Sequence, residues 1–549
     1  MIVANATVAI ARWITRRGRR GRSLFPAVGT ASILWLFALA VTAVVLLPIV
    51  YLIVRALEAG VTAWALLVQA RTWQILGRTL WLALAVTMAS ALVAIPLAWL
   101  TTRTDLPLRQ AWVVLLSLPL AIPSYVGAYL VVAALGPRGI LQEWLEKLWG
   151  ITRLPEIYGF PGTLLVLTLL SYPYIFLSVR AMLLQLDPAL EEASRSLGRG
   201  PWATFRRVIL PQLRPALASG GLLVALYTLR DFGAVSIMRY TTFTRAIYIQ
   251  YQSAFNRSDA ALLSLVLVAI TLVLLALELQ TRGRVQYYRT GAGVARRPPQ
   301  VRLGRWRWPA LLFCSAVVGI ALILPAGVLL YWLARGLQAG EQLLPLWRAT
   351  RNSILVSGIA AVVAVVAALP GVILSARRPS WLSRLLEQLT YIGFALPGIA
   401  IALALVFFGI QYARPLYQTL PMLILAYVVL FLPEAVGSVR ASLLQVQPSL
   451  EEAARSLGRR PLQVFTSITL PLVRPGIAAG AGLVFLTAMK ELPATLILGP
   501  AGFKTLATSV WSAVSEAFFA RAAAPALLLV LASSLPMAFL TLREQERHP

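Results

Sequence analysis

The sequence has few of the residues that build metal cages and disulfide frameworks. It contains one cysteine, Cys314, and one histidine, His548, among its 549 residues. A disulfide needs two cysteines, and zinc or redox-metal sites combine several histidines and cysteines. Both kinds of site are therefore excluded within one chain. A metal ion that met this protein would find only carboxylate, phenolate and carbonyl oxygens, and whether any of them holds a metal is left open.

Charged residues are also scarce, and acidic ones are the scarcest. Only 13% of the residues are charged, against 59% hydrophobic, and 20 acidic residues face 49 basic ones, for a net charge of +29. A soluble domain cannot hide so much apolar surface, so the composition indicates a polytopic membrane protein in a lipid bilayer. Arginine retained on the cytoplasmic side explains the excess positive charge. We therefore expect no nucleic-acid partner.

A phosphate-binding loop of the form GxxxxGK[ST] is missing from the whole sequence,. No polar stretch is long enough to hold a nucleotide-binding domain either. We therefore expect that the chain is not an enzyme, that it binds no cofactor, and that any ATP it depends on is hydrolysed by a different subunit.

What the sequence does contain is a set of apolar runs, each long enough to cross a bilayer. They are divided by residues 281–307, a segment with eight arginines that the positive-inside rule predicts to be a cytoplasmic linker,. The basic residues within 1–30 predict a retained cytoplasmic tail. Six spans in 31–280 and six in 308–542 then leave 543–549 in the cytoplasm too. The predicted fold is an all-α polytopic membrane protein of about twelve spans, near 31–54, 79–101, 111–135, 162–180, 216–238, 260–280, 308–333, 353–375, 388–410, 419–438, 476–498 and 523–542.

Two polar segments interrupt the apolar runs and repeat each other without a gap. Residues 183–215 and 443–475 are identical at more than half of their positions. Both follow an even number of spans, so both are predicted to face the cytoplasm. Each begins a short helix at a proline and contains a glycine that suits a helix end. Two six-span repeats of one orientation are related by an axis along the membrane normal, which predicts a substrate path between them.

These segments resemble the EAA loop of permease subunits in bacterial binding-protein-dependent ABC importers. The pattern of that loop is Glu-Ala-Ala, three residues, Gly, nine residues and then Ile-x-Leu-Pro. Residues Glu192 to Pro211 match it with two departures, Ser194 and Val208, and residues Glu452 to Pro471 match it throughout. The resemblance implies two cytoplasmic ATPase subunits, an external substrate-binding protein and a cell inner membrane location. It also implies that the loops dock the ATPases, through Glu191, Glu192, Ala193, Gly198, Glu451, Glu452, Ala453 and Gly458.

Three other interpretations stay open. A loop with this pattern can merely connect two spans, although a connector has no reason to occur twice at identical spacing. A proton-coupled secondary transporter also lacks its own phosphate loop, but it has no ATPase to dock. A channel is a weaker third alternative.

Ionisable residues inside apolar spans are candidates for function because their burial there is costly. Arg230 and Asp231 follow Pro215 by about 15 residues, and Lys490 and Glu491 follow Pro475 by the same distance, which is roughly 22 Å along a helix. We predict that these four residues line the substrate path between the repeats. A structural ion pair is the equally weighted alternative.

The substrate is indicated by a weaker pattern in the second repeat, of which the first repeat retains only a part. Residues 490–496, KELPATL, and 505–511, TLATSVW, resemble ferric-iron permeases, which are likewise fused repeats. The resemblance implies Fe³⁺ as the cargo, and oxygen ligands suit that hard cation. The alternatives are a permease for thiamine, polyamines or phosphonates in which Glu-Leu-Pro-Ala-Thr only packs helices.

Overall fold

The computed structural model describes residues 28–58, 64–137, 139–150, 155–186, 188–252, 257–283, 301–341, 344–394 and 396–546. Most of the predicted N-terminal tail, most of the predicted linker and the last three residues lie outside this set. An isolated bridge between Thr104 and Val301 is the only β-type pairing among the described residues,.

The chain folds into helices, which agrees with the predicted all-α class. The first repeat contains α1 (Val28–Glu58), α2 (Ala70–Arg103), α3 (Arg109–Ser117), α4 (Ser124–Leu135), α5 (Ile140–Trp149), α6 (Phe160–Gln185), α7 (Pro188–Ser196), α8 (Leu210–Arg230), α9 (Gly233–Ile237), α10 (Phe243–Gln252) and α11 (Arg257–Gly283). The second contains α12 (Arg307–Val318), α13 (Leu324–Gln338), α14 (Leu344–Arg377), α15 (Trp381–Thr390), α16 (Gly398–Tyr412), α17 (Leu420–Leu443), α18 (Pro448–Ser456), α19 (Leu470–Lys490), α20 (Pro493–Leu498), α21 (Leu506–Ser515) and α22 (Phe519–Glu546).

Ten helical stretches of the described chain are long and apolar enough to cross a membrane. A bent pair, Trp381–Phe394 with Gly398–Tyr412, makes an eleventh, and the shorter apolar helix Phe519–Ser534 falls where the twelfth span is predicted. Each predicted run therefore has a helical counterpart. The fold is an all-α bundle of two repeats, with a continuous apolar core between the helices.

The third span of each repeat is broken, whereas the sequence predicted continuous runs at 111–135 and 388–410. In the first repeat, α3 runs into a 3₁₀ turn, Leu118–Ala121, and α4 begins after Pro123. In the second repeat, α15 runs into the turn Tyr391–Phe394, and α16 begins after Pro397 at an angle of 106°. Proline has no N–H group and cannot continue the hydrogen-bond ladder, which ends each first segment.

The fifth span of each repeat also ends earlier in the sequence than predicted. The runs 216–238 and 476–498 were expected to be single helices, but the helices end at Arg230 and Lys490. Short helices, α9 and α20, follow after a break of two residues. The charged side chains predicted to line a path therefore lie at helix ends and not in the middle of a span.

Candidate functional site

Both polar loops form the same elbow of two helices. The first helix, α7 or α18, ends at a glycine with a left-handed backbone, Gly198 with φ of 77° and Gly458 with φ of 80°. Glycine adopts this conformation at little cost because it has no Cβ. The amide groups of Gly198 and Arg199 then donate to the carbonyl oxygens of Arg195 and Ser194, which closes the helix end,.

The second arm of each elbow contains one π-helical turn. These turns, Phe205–Ile209 and Phe465–Thr469, stand directly before a Leu-Pro pair that begins the spanning helix. The same arrangement recurs at Gly319–Ile323 before Leu324 and Pro325. Because a proline cannot donate to the carbonyl four residues earlier, the helix widens by one residue at this point. The Leu-Pro end of the loop pattern thus has a structural cause.

The predicted docking residues separate into exposed and buried members. Glu192, Ala193, Glu452 and Ala453 lie on the exposed face of α7 and α18, and Gly198 and Gly458 are exposed as well. Glu191 and Glu451 are buried, with 3% and 6% of their surface accessible. These two glutamates therefore face the interior of the permease.

Each buried glutamate pairs with an arginine at the end of the second span of its own repeat. Nη1 of Arg103 lies 2.9 Å from Oε1 of Glu191, and Nη2 of Arg377 lies 2.9 Å from Oε1 of Glu451. The same arginines donate to backbone carbonyls of Leu183 and Val446, at 3.1 Å each. The sequence analysis did not identify these two arginines as functional residues, although each is the last residue of a long helix and they occupy equivalent positions in the two repeats.

Large apolar side chains surround the exposed glutamates on both elbows. They are equivalent pairs in the two repeats, and all have about half or more of their surface accessible. The pairs are Leu190 and Leu450, Leu197 and Leu457, and Trp202 and Leu462. Exposed apolar side chains at equivalent places in both repeats mark a surface suited to a protein partner.

The two acids among the predicted path residues, Asp231 and Glu491, have a structural role in the breaks. Oδ1 of Asp231 accepts hydrogen bonds from the amide groups of Ala234 and Val235, at 2.9 and 3.2 Å. Oε1 of Glu491 accepts one from the amide group of Ala494, at 3.1 Å. Both acids therefore cap the short helix that follows them, α9 or α20.

The cations of the same pairs reach into the opposite repeat. Nη1 of Arg230 donates to the carbonyl oxygen of Phe394 at 2.9 Å, and Nζ of Lys490 donates to that of Leu120 at 3.4 Å. Leu120 and Phe394 are equivalent residues, each three positions before the proline of a broken third span. The structure therefore brings both predicted path cations, Arg230 and Lys490, to the interface between the repeats, in two reciprocal contacts.

Glu434 also lies at this interface. It interacts electrostatically with both Arg230 and Lys490, and its Oε2 accepts a hydrogen bond from the hydroxyl of Thr487 at 2.9 Å. In the first repeat the equivalent positions hold Tyr174 and Tyr227, whose rings pack with centroids 5.9 Å apart. At these two positions the second repeat thus has a carboxylate and a hydroxyl where the first has two phenols.

The pattern that suggested ferric iron serves to hold the break together. The hydroxyl of Thr495 donates to the carbonyl oxygen of Glu491 at 2.7 Å and shares a 2.6 Å hydrogen bond with the hydroxyl of Tyr427. Thr505 caps α21 through Thr508. Within the described residues, no group of three or more His, Cys, Asp or Glu side chains is arranged to hold a metal ion.

Comparison with known proteins defines the class. Residues 94–282 and 362–546 each match the family described as binding-protein-dependent transport system inner membrane component. The chain belongs to this family and carries its domain twice, so it is a multi-pass inner membrane protein and the permease part of an ABC importer.

Individual relatives extend the comparison. The Fe(3+)-transport system permease protein FbpB 2 of Haemophilus influenzae is 39% identical over 89% of this chain and 94% of the relative. The ferric transport system permease protein FbpB of Actinobacillus pleuropneumoniae is 25% identical over 83% of this chain and 69% of the relative. The sulfate transport system permease protein CysW of Escherichia coli is 30% identical and covers only 42% of this chain, about one repeat.

Proposed function

We propose that this chain is the membrane permease of an importer for ferric iron. The proposal rests mainly on the 39% identity to a permease named for Fe³⁺ transport, which extends over nearly the full length of both chains. A second relative of similar coverage is also named for ferric transport. The alternatives of thiamine, polyamine and phosphonate transport are not favoured by these relatives, and membership of an ABC importer family disfavours a proton-coupled transporter.

Energy enters through the two elbows in this proposal. Each elbow offers an exposed acid, Glu192 or Glu452, among exposed apolar side chains, and each is held by a buried ion pair to the body of its repeat. Two equivalent elbows fit two ATPase subunits, which hydrolyse ATP on behalf of a chain that has no phosphate loop and needs no cofactor. Both elbows and both termini then lie in the cytoplasm, and a substrate-binding protein delivers cargo to the opposite face.

The test is the ATPase activity of the reconstituted transporter with candidate loaded binding proteins. Stimulation by a ferric-loaded binding protein is the expected result. Stimulation by a thiamine-, polyamine- or phosphonate-loaded protein, without any by the ferric-loaded one, would overturn the assignment of the cargo. Uptake driven by a proton gradient without ATP would overturn the importer class as well.

Docking is tested separately by capture of the ATPase on the tagged permease. The double variant Glu192→Lys with Glu452→Lys reverses both exposed acids and is expected to lose most of the captured ATPase. The matched control is Glu143→Lys, an acid that lies on α5, away from both elbows. Equal capture by all three chains would contradict the assigned docking surface.

A further inference from the structure

The two contacts that cross between the repeats share one chemical cause. A carbonyl oxygen in a 3₁₀ turn accepts from the amide group three residues later. For Leu120 and Phe394 that residue is a proline, Pro123 or Pro397, which has no N–H group to donate,. Each orphaned oxygen is instead bound by a cation from the opposite repeat, Lys490 or Arg230.

From this geometry we propose that Arg230, Lys490 and Glu434 form a latch that closes the substrate path between the repeats. In the closed state the side chains of Arg230 and Lys490 bind backbone carbonyl oxygens. After the repeats separate, these oxygens become available to a cargo cation. We call this set of three side chains the crossed latch. The latch itself needs no particular cargo, whereas the role given to its oxygen atoms rests on the proposed transport of a hard cation.

The positions of Arg230 and Lys490 indicate that their two contacts act together as a latch. Arg230 and Lys490 end equivalent helices, α8 and α19, and each binds the broken third span of the other repeat. Movement of one repeat against the other therefore breaks both contacts together. Each helix continues from an elbow without interruption, so a displacement of the elbow is transmitted along the helix to its cation.

Glu434 supplies the negative charge that both cations share. It lies within electrostatic range of Arg230 and Lys490 and is half-buried at the interface of the repeats. Two unpaired cations in a membrane-spanning site carry a large cost, which a neighbouring carboxylate offsets. When the cations withdraw, the carboxylate is left without its counter-charges and gains a preference for a passing cation.

The oxygen atoms released by the latch are of the type that a hard cation prefers. They are the carbonyl oxygens of Leu120 and Phe394 and the carboxylate of Glu434, with the phenols of Tyr174 and Tyr227 at the equivalent place in the first repeat. Carbonyl, carboxylate and phenolate oxygens suit hard ions. The latch thus explains how a path that contains two positively charged side chains can admit a cation. Arg230 and Lys490 move away from the oxygen atoms before the cargo cation binds them.

The experiment measures passive entry of Tb³⁺, a hard trivalent probe, into vesicles that contain dipicolinate, whose complex with Tb³⁺ is luminescent. The full chain is reconstituted with its ATPase subunits and no ATP is added. Arg230→Gln combined with Lys490→Gln is expected to speed Tb³⁺ entry at least about tenfold over the unchanged chain. Adding Glu434→Gln to this double variant is expected to remove most of the increase.

Two controls separate the latch from a general loss of structure. The exchange Arg230→Lys with Lys490→Arg keeps both charges and is expected to keep the vesicles tight. Lys504→Gln removes an exposed cation elsewhere and is expected to change nothing. Sulfate entry is measured in parallel, and the ATPase content of every variant is compared to show that the complex is assembled.

Each outcome then decides a different point. Faster entry of Tb³⁺ but not of sulfate supports the whole proposal. Faster entry of both supports the latch and overturns the role of Glu434 with cations. Unchanged entry in an assembled double variant overturns the latch. A latch variant that leaks, in a transporter that a ferric-loaded binding protein does not stimulate, would show that the cargo assignment has failed and the latch has not.

Discussion

Arg377 holds Glu451 in a buried ion pair that fastens the elbow of the second repeat to the end of its second span. Nε and Nη2 of the arginine lie 3.1 and 2.9 Å from one carboxylate oxygen, Oε1. Arg103 and Glu191 make the equivalent pair in the first repeat. Because Glu451 is buried and only 9% of the Arg377 side chain is accessible, we expect this ion pair to couple displacements of the elbow to the end of the span.

Removal of the arginine is therefore expected to destabilise the permease, because it deletes hydrogen bonds to both Glu451 and the carbonyl oxygen of Val446. Arg377→Ala removes the shortest ion pair of the buried Glu451, which keeps only a 3.9 Å contact to Arg455 and a hydrogen bond from Thr469. Loss of one partner of a buried ion pair costs about 3–5 kcal/mol, which is an upper bound here. We expect a lower thermal unfolding temperature for the purified complex and weaker capture of the ATPase. Arg384→Ala, an exposed arginine one turn into α15, is the control and is expected to be nearly silent. Equal unfolding temperatures for both variants would contradict the anchoring role.

The two anchors are not equally strong. The hydroxyl of Thr469 donates to Oε1 of Glu451 at 3.0 Å, whereas the equivalent position in the first repeat is the buried Ile209. Thr469→Val keeps the shape of the side chain and removes one hydrogen bond to a charged group, a loss of about 1.5–3 kcal/mol.

This substitution is expected to lower the unfolding temperature, measured by differential scanning fluorimetry of the purified complex. Thr466→Val, on the exposed side of the same π-helical turn, is the matched control. A larger effect of the control than of Thr469→Val would show that the hydroxyl of Thr469 contributes nothing to the anchor.

The glycines of the elbows give a prediction that depends on the backbone alone. A Cβ at Gly198 or Gly458 would meet no atom within 4 Å, but both residues have positive φ. Alanine is therefore expected to cost roughly 1–2 kcal/mol through its backbone conformation and not through a clash. Gly198→Ala with Gly458→Ala should weaken ATPase capture, and asparagine, which tolerates this conformation better, should restore part of it.

Gly200 is the matched control for these glycines. It also has open space around it, but its φ is not positive. Gly200→Ala is expected to leave ATPase capture unchanged. If Gly200→Ala weakens capture as much as Gly198→Ala does, the left-handed turn is not what the glycines provide.

Sequence reasoning located the elbows because they occur twice, and the repetition also identified the glycines at which their helices end. It did not separate Glu191 from Glu192, since neighbouring residues of a helix face different ways only once the packing partner is known. Arg103 carried a usable signal: like Arg377, it is the first charged residue after a long apolar run. The pairing of these arginines with the glutamates of the elbows could not be predicted, because it depends on how two separate helices pack.

The interface between the repeats was less accessible from the sequence. The equivalence of Arg230 and Lys490 was visible, but their contacts with the opposite repeat depend on how the two repeats face each other. Glu434 gives no repeated signal in the sequence, because the equivalent residue of the first repeat is Tyr174. In the structure that difference is a feature of the site, since a carboxylate and a hydroxyl replace a pair of tyrosines.

The capping acid at each break and the residue packed against it differ in size between the two repeats, in opposite directions. In the first repeat Asp231 accepts a hydrogen bond from Ser124, and in the second the longer Glu491 packs against Gly398, the residue equivalent to Ser124. A Cβ at position 398 would lie only 2.5 Å from Oε1 of Glu491. The shorter acid thus goes with the larger neighbour, and the longer acid with glycine.

This exchange predicts that one substitution rescues another. Gly398→Ser alone is expected to displace the carboxylate of Glu491 from the amide group of Ala494, and overpacking of this kind costs about 1–3 kcal/mol. Glu491→Asp alone leaves a gap beside Gly398 and is expected to lose stability as well. The double variant rebuilds the pair of the first repeat and should be more stable than either single variant. Thermal unfolding of the four chains gives the coupling directly; purely additive effects would mean that residues 398 and 491 do not share this space.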